Sequence, residues 1–408
     1  MTETKNITYK KTGLDWMPEI PEHWVFKRGK ALFHERSMKG YPDEPLLAAS
    51  QKQGVVLKEM LEQRSMEAIQ NFESFKLVEK DDFVISLRSF EGGIELAYFR
   101  GIISPVYSVF CFRENTQNRD FYKYLFKSRM FIQELNVYKK GIRDGQSINF
   151  SEFANIYLPV PPLHEQDQIV LYIKAQEEKI NRFIDKKQGF IELLKEQKDL
   201  IAFSAIHMDG IKNGCPERRI KSFSQILRGK FTHRPRNDER LYDGEYPFIQ
   251  TGEVSQANKY INGYRQTLND WGYSVSKEFP KGTLCLTIAA NVGDVAILNF
   301  NACFPDSIVG IVPNDEVDLD FLYHALKSLK AKFLSEATLT TQYNLNVERI
   351  GPIKIPIPNL ETQKKIVIEL ETETATIDTA IAKAEREIEL IREYKEAMIS
   401  EAVIGKIL

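Results

Sequence analysis

The sequence is poor in the features that announce covalent or catalytic chemistry. Its four cysteines (Cys111, Cys215, Cys285 and Cys303) lie far apart, and none forms a CxxC pair. That speaks against a disulfide framework or a zinc site and suits a reducing cytoplasm. No run of about 18 apolar residues occurs, so no membrane-spanning helix and no membrane partner are expected. The opening MTETKNITYKKTG has no apolar stretch and does not read as a secretory leader. Neither charge sign dominates: the formal net charge is −2. Such a chain does not coat nucleic acid nonspecifically, although a local basic patch is still open to it. No GxxxxGK[ST] loop is present, since Gly229-Lys230 is followed by Phe231 and lacks the upstream glycine. There is no GxGxxG run and no Asn/Asp-Pro-Pro-aromatic signature of adenine methyl transfer. The six histidines make no triad or metal spacing. The E-x-K triplets at Glu177 and Glu196 fall in helical sequence and read as helix-surface charge. No active site is expected in this chain.

What the sequence does have is repetition. The stretch LPVPPLHEQ begins at Leu158, and its near-copy IPIPNLETQ begins 197 residues later, at Ile355. In that register Pro159 meets Pro356, Leu163 meets Leu360, Gln166 meets Gln363, Ile180 meets Ile377 and Ala205 meets Ala402, without a gap. Both copies carry apolar residues at heptad spacing. In the first, the rows are Ile173, Ile180, Lys187, Leu194, Ile201 and Glu177, Ile184, Ile191, Lys198, Ala205. In the second they are Leu370, Ile377, Ala384, Ile391, Met398 and Thr374, Ile381, Ile388, Lys395, Ala402. These are coiled-coil seams on two helices of roughly forty residues, about 60 Å each at 1.5 Å per residue. Prolines stand just before each start. Neither helix can bury its seam alone, and chain order predicts that the two pair antiparallel, giving a dumbbell with a pseudo-twofold axis.

The segments before the helices match more loosely. PEHWVFKRGKALF (from Pro21) pairs with PERRIKSFSQIL (from Pro216), and FYKYLFKS (from Phe121) with FLYHALKS (from Phe321). FVISLRSF and TLCLTIAA read as strands, FYKYLFKSRMFIQEL and FLYHALKSLKAKFL each as an amphipathic helix. SFEGGIELAYF and ANVGDVAIL read as hairpin-type connections with glycine at the turn. The predicted architecture is α/β (α+β): globular domains at 1–160 and 209–357 alternate with helices at 161–208 and 358–408.

Basic and amide residues gather in the predicted loops. In the first block they include Lys30, Lys39, Arg88, Arg143 and Gln146, with Phe90 able to wedge or stack. In the second they are Arg228, Lys230, His233, Arg234, Arg236, Arg265, Asn291, Gln342 and Asn344, with Tyr264 and Tyr343 as stackers. Arg and Lys neutralise phosphates, while Arg, Asn and Gln also read base edges bidentately. The run RGKFTHRPR from Arg228 is the densest cluster, with few acids nearby in sequence, and suits phosphate contact best.

Together these features resemble the specificity subunit of type I restriction-modification enzymes. The marks are the Ile20-Pro21-Glu22-His23-Trp24 opening, the helix start from Pro161 to Gln166, the run IAANVGDVAILNFNACFPDSIVG from Ile288 and the closing ISEAVIGKIL. The resemblance spans nearly the whole chain. It implies two target-recognition domains, each reading one half of a bipartite, asymmetric site in double-stranded DNA. The helices would set the spacing and dock two methyltransferase subunits, and restriction (motor) subunits would complete the complex. The resemblance assigns S-adenosylmethionine to the methyltransferase, ATP and Mg to the restriction subunit, and no cofactor to this chain. Leu163, Glu165, Gln166, Leu360 and Gln363 are the expected partner contacts. Thr362 stands where Glu165 has its counterpart, so the two helix starts are not equivalent. Two other readings compete: a repeat-built scaffold that binds only proteins, and an enzyme with an unrecognised site.

Overall fold

The computed structural model describes residues 7–61, 72–86, 89–114, 116–138, 148–212, 214–289, 291–339 and 343–408. Two compact units emerge. One comprises residues 1–187 with 386–408, the other residues 188–385. Each holds one globular head, the opening turns of one long helix and the closing turns of the other. The long helices run Leu163–Phe203 and Leu360–Val403.

Within each unit the two helices lie antiparallel. In the first unit Glu177 pairs with Lys395 at 3.0 Å and Lys187 with Glu387 at 2.5 Å, while in the second Lys198 pairs with Asp378 at 2.6 Å. Four of the five polar breaks in the seams are therefore held in ion pairs. Seam residues Ile173, Ile180, Leu370, Ala384, Met398 and Ala402 are buried, and Thr374 turns its hydroxyl back onto the Leu370 carbonyl (2.9 Å). In a coiled coil such polar positions fix register more than they add stability.

The two heads follow one path. In the first, the main antiparallel sheet places Phe33–Arg36 beside Ser108–Phe112, then Phe83–Ile85, then Glu95–Leu96. In the second, Ser224–Arg228 lies beside Ile308–Pro313, then Leu284–Thr287, then Val295–Leu298, with Tyr260–Ile261 added parallel at the edge. Phe83–Ile85 and Leu284–Thr287 each pair antiparallel with the strand that follows, as the hairpin-type connections predict. The strand predicted over 83–90 is shorter, since Ser89–Gly92 is a short helix. Gly93 and Gly293 both sit at positive φ (81° and 92°). The cores are filled differently. Cross-strand partners Phe83 and Phe110 in the first head stand where Leu284 and Ile311 stand in the second. Rings of Phe33, Phe83, Phe110, Phe126 and Phe153 pack edge-on and stacked in the first core. The second core is mainly aliphatic. A common backbone with exchanged core volumes is what tolerant cores permit, and it explains why the heads match so weakly in sequence.

Two further expectations need correction. The single amphipathic helix foreseen in each head is two: Arg119–Lys127 and Arg129–Val137 in the first, Leu319–Lys327 and Lys330–Glu336 in the second. Ser128 makes the first break. Its backbone is extended (φ −68°, ψ 144°) and its hydroxyl caps the next helix at the Phe131 amide. Second, Pro21 is not the counterpart of Pro216. Strand pairing sets Arg28 opposite Tyr157 and Arg219 opposite Lys354. The Gly29 amide donates to the Ile156 carbonyl just as the Ile220 amide donates to Ile353. Arg28 thus matches Arg219, four residues off the sequence register, and the His23-Trp24 pair has no counterpart in the second head.

Candidate nucleic-acid interface

The motif at each helix start fixes head to helix. Gln166, fully buried, donates to the Pro161 carbonyl (2.8 Å) and accepts from the Asn118 amide (2.9 Å). Gln363 repeats this: it donates to the Pro358 carbonyl (2.8 Å) and accepts from the Asp318 amide (2.7 Å). Asn118 and Asp318 are the N-caps of the head helices Arg119–Lys127 and Leu319–Lys327. One amide side chain therefore locks each long helix to the cap of its head helix. Glu165 is also occupied inside its unit, accepting from the buried Trp24 indole (2.6 Å) and meeting His23 at 2.7 Å. Gln166, Gln363 and Glu165, expected to face a partner, are thus engaged within their own units, the two glutamines fully buried and Glu165 partly so. Of the five residues, Leu163 and Leu360 remain exposed, at 49% and 40%. Thr362 sits where no tryptophan needs an acceptor.

The basic run of the second head folds into a loop on its outer surface. Gly229 starts it because a Cβ there would come 2.1 Å from the Pro305 carbonyl oxygen. Phe231 is buried and anchors the loop. Arg228 Nε donates to the Asp306 carbonyl (2.8 Å), while Arg234 and Arg236 both meet the Asp306 carboxylate. His233 faces Asp238 at 3.0 Å. Asp238 is held well below the usual carboxylate range by its hydrogen bond to Arg240, with His233 adding to the effect. The loop is thus less basic than its sequence suggests, because folding brings Asp306 to it. Lys230, Arg234 and Arg236 remain exposed. Arg265 is exposed beside Tyr264, with Gln256 and Glu253 as partners, and Asn291 donates to Ser255 Oγ (3.1 Å).

Sequence reasoning missed three features here. Arg240 stacks over the exposed Trp271 ring at 5.2 Å. Gln250, the N-cap of the short helix Thr251–Gln256, bonds Gln266 amide to amide at 2.7 Å. These two glutamines and Asn237 edge a cleft of about 460 Å³ floored by Phe231, Tyr242 and Phe248. No local sequence signal joins residues 16 or more apart on separate elements. A second cleft of about 690 Å³, beside the helix pair, is lined by Lys195, Lys198, Lys327 and Lys330. Its charge is largely satisfied, with Lys198 on Asp378 and Lys330 on Asp294.

In the first head Lys30 and Lys39 are exposed. Arg88, Arg143, Gln146 and Gln342 lie outside the described residues, and for Phe90, Tyr343 and Asn344 only the backbone is described. Cys111 lies 3.4 Å from His34 Nε2, with Arg36 and Asp82 alongside. Burial pushes its thiol pKa up, with Asp82 adding to the rise. An activated nucleophile needs the reverse.

The chain resembles known proteins along its whole length. It is 25% identical to a Methanocaldococcus jannaschii protein provisionally named the specificity subunit of type I restriction enzyme MjaX, over 99% of this chain and 97% of that one. It is 23% identical to the EcoBI specificity subunit of Escherichia coli, over 50% of this chain and 36% of that one. A solved structure, described as showing complex assembly and conformational transition of the type I R-M system, shares its fold. The TM-score is 0.57 at 17% identity, over 95% of this chain and 99% of that one. The model of the type I restriction modification DNA specificity domain matches twice, over residues 21–192 and 214–390, and on that double match the chain belongs to this family.

Proposed function

We propose that this chain is the DNA-reading, non-catalytic subunit of a type I restriction-modification complex. Each head reads one half of a bipartite asymmetric site in double-stranded DNA, and the paired helices set the distance between the halves. The observation that carries this is the combination of one frame, repeated down to the Gln166 and Gln363 locks, with heads that expose different basic residues, Lys30 and Lys39 in the first and Lys230, Arg234 and Arg236 in the second. Like frames suit like partners, and unlike surfaces suit unlike half-sites. Lys30, Lys39, Arg228, Lys230, Arg234 and Arg236 meet phosphates, which positions the heads without specifying sequence.

Partner docking is supported by apolar side chains left exposed at equivalent helix positions. Leu171 and Ile368 (67% and 65% exposed) occupy matched places, as do Leu163 with Leu360 and Leu193 with Leu390. One copy of the set falls in each unit, which suits two methyltransferase subunits. S-adenosylmethionine then belongs to the methyltransferase, ATP and Mg to the restriction subunits, and the assembly works in the cytoplasm.

The test is DNA binding by the chain assembled with its methyltransferase partner, followed by gel shift on a random-sequence pool. Retention of a defined subset of sequences is expected, with the preference lost when this chain is omitted. Assembly without DNA binding or preference would instead favour a protein-only scaffold. The chain alone with S-adenosylmethionine and DNA is expected to transfer no methyl group.

A further inference from the structure

The cleft of the second head pairs an aromatic floor with two amides at its edge. Gln250 sits at the start of the helix Thr251–Gln256, and Gln266 opens the strand Gln266–Leu268, which pairs with Tyr242–Phe248. Their amides are joined by one hydrogen bond of 2.7 Å. One amide–amide bond leaves an NH₂ on one side chain and a carbonyl with an open lone pair on the other. Exchanging O and N on both glutamines leaves the same complement. Among single bases in the major groove, only adenine presents an acceptor (N7) next to a donor (N6 amine). Guanine offers two acceptors, cytosine a donor, and thymine an acceptor and a methyl.

The surroundings fit a base edge. Phe231, Tyr242 and Phe248 form a floor that does not compete for the amides' hydrogen bonds. Phe231 and Phe248 are buried and hold the cleft open as a rigid form. Arg236 stands on the rim, oriented by Asp306 and by the Tyr242 hydroxyl on its carbonyl, where a flanking phosphate would pass. The nearby Gln250 amide is tied to Glu253 (3.1 Å), which fixes where the Gln250 side chain begins.

We infer that Gln250 and Gln266 act together as a base-reading pair that selects adenine at one position of the second head's half-site. This rests on the DNA-reading function proposed above. The experiment assembles the full chain with its methyltransferase partner, lets it methylate a random DNA pool, and maps the modified sites by sequencing. For Gln266→Ala and Gln250→Ala the preference for adenine at one position is expected to fall about 5- to 150-fold, the range a bidentate contact of about 1–3 kcal/mol gives. All other positions, including the whole other half-site, should stay as in the wild type. Gln266→Glu replaces the donor with an acceptor at nearly constant shape. It is expected to move that one position toward cytosine, whose N4 amine donates, a gain that misfolding does not produce. An unchanged site in all variants overturns the inference. So does a uniform loss of methylation with both half-sites intact, which would make the amides structural. If the wild-type complex itself yields no sequence preference, the proposed function fails instead, before the glutamines are tested.

Discussion

Single side chains distinguish the two otherwise repeated helix starts. Trp24 is fully buried and its indole N–H finds its acceptor in Glu165. Glu165→Ala strands that donor and is expected to cost about 1–3 kcal/mol, read by denaturant unfolding. Thr362→Ala, at the matching position of the second helix, is expected to change stability little, because no indole faces it. Equal losses from both substitutions would refute this account of the asymmetry. His324 gives a pH signature. Burial, with the Lys259 charge adding, lowers its pKa to about 4, and its Nε2 lies 3.6 Å from Glu371. The folded state therefore resists a proton that the unfolded chain accepts near pH 6.5. Above that pH His324 has no effect on the balance; as pH falls toward 4 stability is lost, with a slope approaching about 1.4 kcal/mol per pH unit. His324→Gln is expected to flatten that part of the stability curve. The sequence shows Gln166 and Gln363 as repeated letters, but their task depends on caps 45 or more residues away, and only the fold reveals it.

The long helices were legible because heptad spacing is a local pattern. Which residue faces which across the seam was not, since that depends on the antiparallel register. The Glu177–Lys395 contact tests the register. Glu177→Lys and Lys395→Glu are each expected to destabilise by about 0.5–1 kcal/mol, and the double exchange to restore stability, measured as a double-mutant cycle. Additive losses would place the two side chains apart. Helix ends were the least legible feature. Ser128 breaks a run that is amphipathic throughout, because its side chain and extended backbone make a better cap than an interior residue. Ser128→Ala is expected to cost about 1 kcal/mol.

For the whole molecule, the repeat was readable where the two copies share seams and scarcely readable in the heads. Phe83 and Phe110 against Leu284 and Ile311 illustrate why: the strands persist while the volumes that fill them are exchanged. The cleft proposed to read a base was not legible either, because Gln250, Gln266 and Phe231 meet only after folding. As a spacer, the helix pair should act as a ruler. A heptad inserted in both helices, after Lys187 and after Arg386, adds about 10 Å, roughly 3 base pairs at 3.4 Å each. The gap in the DNA site is expected to lengthen while both half-sites stay the same. The most direct test of two independent readers on one frame is sequencing of modified adenines in DNA methylated by the complex containing this chain. The expected result is one motif of two unlike blocks separated by a fixed run of unspecified bases. A single uninterrupted motif, two identical blocks, or modification independent of this chain would contradict the account.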